Sequence, residues 1–475
     1  MKQETSHITS RDPIKNWVDV KNPSTGKVLA QVAFTLQAEL EEVLERAYAL
    51  FKNKKNWLAL HQRVEILEKL AVSIRDSRRD LAILIAREGG KPLTDALVEV
   101  DRAVLGVKRC VEVISSDQGS VVPLGAHAFS ASRRAFTSKQ PIGVALAISA
   151  FNHPLNLIVH QVATAVAVGA PVIVKPSPDT PLTCIRFIEM LKAAGLPKGW
   201  ATAVLPETLD LAEMLVTDDR ISFFSFIGSA RVGWALRSKL KPGVRFALEH
   251  GGAAPAFVTG TADLPAAVET LAKGAFYHAG QVCVSTQRIF VDGQVSHEFT
   301  QTLKDRVESL KVGDAILEET EVGPLIRESE VHRVAQWVND AVSEGAELIT
   351  GGQAITTRFY KPTLLLNAPR HSKVSREEVF GPVAVIQPYE DLSGAIEQAN
   401  ALPFAFQAAV FARDIDEINR LYFELDASAI MINDHTAFRE DGMPFAGLKH
   451  SGFGVGGIDH TIHDLQIDKM MVMKL

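Results

Sequence analysis

Residues 142–175 read IGVALAISAFNHPLNLIVHQVATAVAVGAPVIVK. The stretch opens on a short apolar strand, 142–149, and breaks at the turn Phe151-Asn152-His153-Pro154. A helix follows over about 155–168, and VIVK at 172–175 closes the stretch as a second strand. Strands separated by a helix of this length form a right-handed βαβ unit, and such units build a parallel sheet. Parallel sheets place ligands at the carboxyl ends of their strands. Asn152 and Lys175, each just past a strand, are therefore candidate site residues.

The same rhythm continues downstream. After PSPDTP comes a helix over 182–194, stopped by Gly195 with Pro197 just beyond. Strand 201–205, helix 207–216, strand 221–226, helix 229–240 and strand 244–248 complete the run, and Gly228 is a third residue just past a strand. Upstream, residues 37–114 read as helical, with Leu, Val and Ala at three- and four-residue spacing among charges. A second alternating region over 252–448 implies another α/β domain. Two pieces fit neither region: the extended SASRRAFTSKQ within 119–141, and the apolar tail DKMMVMKL. An exposed apolar edge is normally paired or buried, so both pieces are expected to pair across a subunit interface in an oligomer.

Composition narrows the function. The 475 residues suggest several domains, and 47% hydrophobic with 22% charged residues is ordinary for a globular chain. A net charge of −6 lacks the basic footprint of a nucleic-acid binder. Cys110, Cys184 and Cys283 are too far apart for a CxxC metal site or a disulfide framework, so no metal is expected. Three scattered thiols fit a reducing compartment. The polar N-terminus MKQETSHITSRDPIKNW lacks the apolar core of a signal peptide, and no stretch is long and apolar enough to span a bilayer. A cytoplasmic enzyme without membrane or nucleic-acid partners is the expectation.

Gly452, Gly454 and Gly457 in GFGVGG match G-x-G-x-x-G, but no strong strand precedes them and too little chain follows for a βαβ unit. A flexible loop is the better reading. GSARVG at 228–233 is the stronger candidate, since Gly228-Ser229 at a strand-to-helix turn offers N–H groups and a hydroxyl at the positive end of a helix. Alone, it reads equally as an ordinary helix start, and Lys175 as a solvated lysine. Cys283 taken alone is more simply a small core residue than a nucleophile. Glu249, at a strand end before His250-Gly251-Gly252, is either a cap or a base.

Together these residues carry a resemblance. Phe151-Asn152-His153-Pro154, Lys175-Pro176-Ser177, Gly228-Ser229, Glu249-His250-Gly251-Gly252, Gly280-Gln281-Val282-Cys283, Glu378-Val379-Phe380-Gly381-Pro382 and Pro444-Phe445-Ala446-Gly447 resemble, in order, the aldehyde dehydrogenase superfamily. The resemblance runs from about residue 17 to the C-terminus. It implies an α/β fold with a Rossmann-like NAD(P)-binding domain (1–118 and 142–251), an α/β catalytic domain (252–448) and a small bridging, oligomerising sheet (119–141 and 449–475), in a homodimer or homotetramer.

The resemblance also implies roles. Cys283 resembles the nucleophile that forms a thiohemiacetal and then a thioester. Asn152, with the backbone N–H of Cys283, resembles the oxyanion donor, and Glu249 the base that activates water for hydrolysis. Lys175 belongs by this likeness at the adenosine ribose, where Lys175 and Ser177 could receive a 2′-phosphate, Gly228-Ser229 at the pyrophosphate, Glu378 at the nicotinamide ribose and Phe380 near the nicotinamide. Pro178 stands where NAD-preferring members often carry a ribose-binding glutamate, so NAD and NADP both remain open.

Further motifs resemble the lactaldehyde and phosphonoacetaldehyde dehydrogenase branches: FNHPLN, GQVCVS with Gln287-Arg288, and Asn433-Asp434-His435 with Phe438-Arg439. His153, Asn156 and His160 fall at i, i+3 and i+7, on one helix face. With Arg102, Arg288 or Arg439 nearby, that face would suit a small polar or anionic aldehyde. The alternatives are a CoA-acylating dehydrogenase, which Glu249 argues against, and a non-catalytic homologue that kept the fold.

Overall fold

The computed structural model describes residues 16–117 and 119–475; the polar N-terminus read above lies almost wholly outside them. A six-stranded sheet organises the first half of the chain. Its order is Gly452–Phe453, Arg245–Glu249, Ile221–Ile227, Val144–Ile148, Val172–Lys175, Ala201–Ala203, with every pairing parallel except the first. Val144–Ile148 is buried along its whole length, as a strand covered on both faces must be. The chain leaves it in one direction to Val172–Lys175 and returns to its other side at Ile221–Ile227. That reversal opens a crevice at the strand ends, where Asn152 and Gly228 sit.

A seven-stranded sheet organises the second half, in the order Glu347–Thr350, Thr363–Leu366, Val383–Tyr389, Thr286–Asp292, Ala254–Val258, Gln407–Phe411, Ala429–Ile432. Only the edge strand Glu347–Thr350 runs antiparallel. This sheet turns the amino ends of its strands to the crevice. Cys283 lies just before Thr286–Asp292, and Glu378 just before Val383–Tyr389. Chemistry from one domain therefore faces nucleotide-type strand ends from the other.

The helical region 37–114 holds four α-helices, at Gln37–Lys52, Leu60–Asp76, Arg78–Gly89 and Leu93–Ser116. The breaks fall at Asn53, at Ser77 and at Gly90, whose φ is +69°. The helix expected over 155–168 starts at Asn156 and widens into a π turn at Val159–Ala163. There the Thr164 hydroxyl donates to the His160 carbonyl at 2.5 Å, the kind of back-bond that distorts a helix.

The hairpin and the tail pair with each other within the chain. Arg133–Pro141 pairs antiparallel with Gln466–Lys474 over nine residues, with Val121–Val122 on its other edge. Of 449–475, only that last strand joins the bridging sheet. Helix Ile458–Asp464 instead buries Ile458 and Ile462 in the core of the first domain. The GFGVGG segment is likewise no free loop: Gly452–Phe453 extends the first sheet and Phe445 bridges Gly456. Among the described residues, no helix is long and apolar enough to cross a membrane.

Candidate active site

The crevice is a cavity of about 1180 Å³. Asn152, Glu249 and Cys283 line it together with Lys175, Ser177, Gly228, Ser229, Glu378 and Phe380. Residues far apart in sequence and drawn from both sheets thus meet in one chamber.

Asn152 is buried, and its Nδ2 donates to the carbonyl of Gln281 at 3.0 Å. The amide is thereby tied to the loop that carries Cys283, with its second N–H left for another acceptor. That loop is bent by His278 and Ala279, both at positive φ, +50° and +54°. Gln281 anchors it through Pro324 O and Ile326 N. Cys283 is half-buried, whereas Cys110 and Cys184 are fully buried. Burial pushes the Cys283 thiol up to about 12, helped by the charges of Glu378 and Glu249 and opposed by Arg439.

Glu249 ends its strand against the edge pair Gly452–Phe453. A Cβ on Gly456 would stand 2.3 Å from Glu249 Oε1, so the carboxylate lies in the space that this glycine leaves. Burial raises the Glu249 pKa, opposed by His160 and Arg439.

At the other end of the cavity, several groups fit a dinucleotide. Glu378 Oε1 is buried without a hydrogen-bond partner, an acceptor that ribose hydroxyls would satisfy. Burial lifts this carboxyl to about 8, opposed by Arg333 and the Gly252 N–H. A Cβ on Gly251 would come within 1.6 Å of Glu378 Oε1, so only glycine fits there. Gly228-Ser229 opens the helix Ala230–Arg237, and His250 Nδ1 donates to the Gly228 carbonyl at 2.9 Å. Lys175 makes no ion pair among the described residues, and burial lowers its pKa. Ser177 donates to Asp179, which Arg327 engages from the opposite domain. Phe380, at φ +46°, meets Phe151 edge-on at 5.7 Å.

The polar face behaves differently from the sequence expectation. His153 lies in the turn before the helix and meets Lys91 Nζ at 2.7 Å. Asn156 and His160 wall the cavity, yet both bond Asp441, at 2.9 and 2.7 Å. Arg102 also lines the cavity and is held by Asp441 through two bonds of 3.1 and 2.7 Å. Burial alone would raise the Asp441 carboxyl, but His160 and Arg102 hold it well below the usual range. Arg102 is thus a neutralised cation.

Arg288 is a correction: it is no part of the cavity wall. It is buried and donates to the carbonyls of Ala253, Gln398 and Ala399. Without a carboxylate beside it, burial lowers its pKa to about 9. Arg439 does line the cavity, with its guanidinium 4.2 Å from the Phe445 ring and no ion-pair partner among the described residues. Sequence reasoning missed Asp441, whose partners lie 281 to 339 residues away, and the Lys91–Glu99 pair, which no motif marks.

A thiol, an amide and a carboxylate facing a nucleotide-type crevice define an α/β oxidoreductase with a dinucleotide site. The chain belongs to the aldehyde dehydrogenase family, whose profile matches residues 8–471. It is similar to a 3-sulfolactaldehyde dehydrogenase from Priestia aryabhattai, 34% identical over 96% of this chain and 95% of that one. It is also similar to a lactaldehyde dehydrogenase from Methanocaldococcus jannaschii, 32% identical over 96% and 97%. Among solved structures, a glyceraldehyde-3-phosphate dehydrogenase from Methanocaldococcus jannaschii complexed with NADP superposes with a TM-score of 0.92 at 31% identity, covering 98% of this chain and all of that one. The protein is an NAD(P)-dependent aldehyde dehydrogenase.

Proposed function

We propose that the enzyme oxidises a small polar or anionic aliphatic aldehyde to the carboxylic acid, consuming water and NAD(P)+ and yielding NAD(P)H and a proton. The observation that carries this reading is the single cavity that Cys283, Asn152 and Glu249 share with the cofactor candidates. Cys283 adds as thiolate to the aldehyde carbon. The resulting alkoxide takes hydrogen bonds from Asn152 Nδ2 and the Cys283 backbone N–H. NAD(P)+, when bound, would supply the hydride acceptor for oxidising the thiohemiacetal to the thioester. Glu249 then takes a proton from water, which attacks the thioester carbon and releases the acid and the thiol. Lys175, Ser177, Gly228, Ser229, Glu378 and Phe380 hold the dinucleotide, and Glu378 gains partners for its orphaned oxygen.

Arg439 supports the anionic class, as the one cation of the substrate candidates that faces the cavity without a carboxylate partner. The aldehydes in the names of the three relatives above carry a hydroxyl beside the aldehyde carbon, and two are anions; other relatives are named for succinate semialdehyde, an anion without that hydroxyl. His153 and Arg102 complete that wall. The Gln466–Lys474 strand, an exposed edge rich in methionine, supports a homodimer or homotetramer. The buried thiols agree with a cytoplasmic setting.

Initial rates with propanal, lactaldehyde, succinate semialdehyde, phosphonoacetaldehyde and benzaldehyde, each with NAD and NADP, test the reading. An anionic aldehyde should exceed propanal in kcat/KM by about 100-fold, or about 2.7 kcal/mol, and Arg439→Gln should remove most of that margin. A flat profile rejects the anion site.

A further inference from the structure

Behind the His153 wall lies a buried ion pair that the reaction above does not use. Lys91 is 1% exposed and Glu99 2%, and the two side chains are in contact. Glu99 Oε1 accepts the backbone N–H groups of Leu155 and Asn156 at 2.9 and 3.1 Å, while Oε2 takes Lys91 Nζ. Lys91 turns a further N–H to Nδ1 of His153. An ammonium group donates and cannot accept. Nδ1 therefore carries the lone pair, and the one ring proton of neutral His153 sits on Nε2.

The surroundings keep the ring neutral. Burial, then the charges of Lys91, Arg102 and His278, holds the His153 pKa well below the usual histidine value, with Asp441 opposing. Burial and Lys91 do the same to His278, whose ring lies 6.5 Å away. Burial also lowers the Lys91 pKa, and Glu99 opposes that fall. Among the described residues no group hydrogen-bonds Nε2 of His153. The ring is 15% exposed and forms part of the cavity wall.

We propose that the Lys91–Glu99 pair fixes His153 as a permanent N–H donor to an oxygen on the substrate, a hydroxyl or anionic oxygen beside the aldehyde carbon. The inference rests on the reading of this cavity as the aldehyde site. Lys91 is a positioning residue that acts through the ring. An unheld histidine exchanges its proton between two nitrogens and gains a second near neutral pH, so its recognition would change polarity with conditions. Held by Lys91, the ring presents a donor throughout the working range, which rewards an acceptor oxygen and is indifferent to a plain alkyl chain.

Two readouts test this on the wild type and on Lys91→Met, Lys91→Arg and His153→Phe. In 15N-histidine-labelled enzyme, the His153 signal, assigned by its loss in His153→Phe, should report a proton on Nε2 and no titration between about pH 5.5 and 9. Lys91→Met should mix the tautomers. In kinetics, the ratio of kcat/KM for lactaldehyde over propanal should fall about tenfold in Lys91→Met and in His153→Phe. It should recover in Lys91→Arg and fall no further in the double variant. A wild-type ring protonated on Nδ1 or titrating near neutral pH overturns the proposal, as does an unchanged ratio in Lys91→Met. Oxidation of neither aldehyde nor of any anionic aldehyde of the panel, with the Nε2 proton still fixed, would show that the aldehyde reading of the cavity is what failed, and the substrate half of the proposal would fall with it.

Discussion

Cys283 is the one half-buried thiol of the three. Burial, aided by the charges that Glu378 and Glu249 carry at higher pH, raises its pKa to about 12, so the thiol is protonated at neutral pH, and the thiolate is the reactive form. In cofactor-free enzyme, its alkylation by iodoacetamide should rise about tenfold per pH unit from pH 7 to 10, without a plateau near the ordinary cysteine value. Glu378→Gln removes a negative charge from the thiol's surroundings, so its pKa should fall and the rate profile should shift to lower pH. Cys110 and Cys184 should lag at every pH. Glu249 invites a second test at this scale. Gly456→Ala places a methyl where the carboxylate lies, and Glu249→Gln removes the base. Both should leave a burst of reduced cofactor followed by slowed turnover, with acyl-enzyme visible by mass spectrometry. Wild-type steady-state rates in both variants would remove Glu249 from the hydrolytic step.

At the scale of elements, Asp441 ties its own loop to two helices: to Arg102 of Leu93–Ser116, and to Asn156 and His160 of the helix after the Asn152 turn. Asp441→Ala leaves the partly exposed Arg102 guanidinium, and the buried Asn156 and His160 side chains, without their shared acceptor. The expected loss is about 1.5–3 kcal/mol, measured by denaturant unfolding, and Asp441→Asn should cost less. That junction also marks the limit of the sequence. Strands such as Val144–Ile148 are legible from short apolar runs bounded by turn residues, and Cys283, Glu249 and Asn152, which share one cavity, are singled out by motifs that resemble the family's. Arg288 misleads because a guanidinium near a motif looks functional, while its fate depends on carbonyls of residues 253, 398 and 399. The π turn at Val159–Ala163 is equally silent, since apolar spacing does not distinguish it from an ordinary helical turn.

At the scale of the molecule, the tail strand Gln466–Lys474 is paired on one side only, and Met470, Met471 and Val472 are about half exposed. An edge of this kind invites another strand or surface. Val472→Asp should shift the enzyme towards a smaller assembly in light scattering while the far-ultraviolet circular dichroism holds. An unchanged mass would place the subunit contacts elsewhere.

The strand that carries Glu249 is completed by Gly452–Phe453, and the space for its carboxylate is set by Gly456. All three residues lie close to the C-terminus, after every other part of the site has been synthesised. Domains fold in order of emergence during translation. A nascent chain can therefore form the loop that carries Cys283 before Glu249, the proposed base, has its wall. A chain cut ahead of Gly452 would also lack Ile458 and Ile462 from the core of the first domain, so the nucleotide crevice and the seat of Glu249 are completed together by the same late segment.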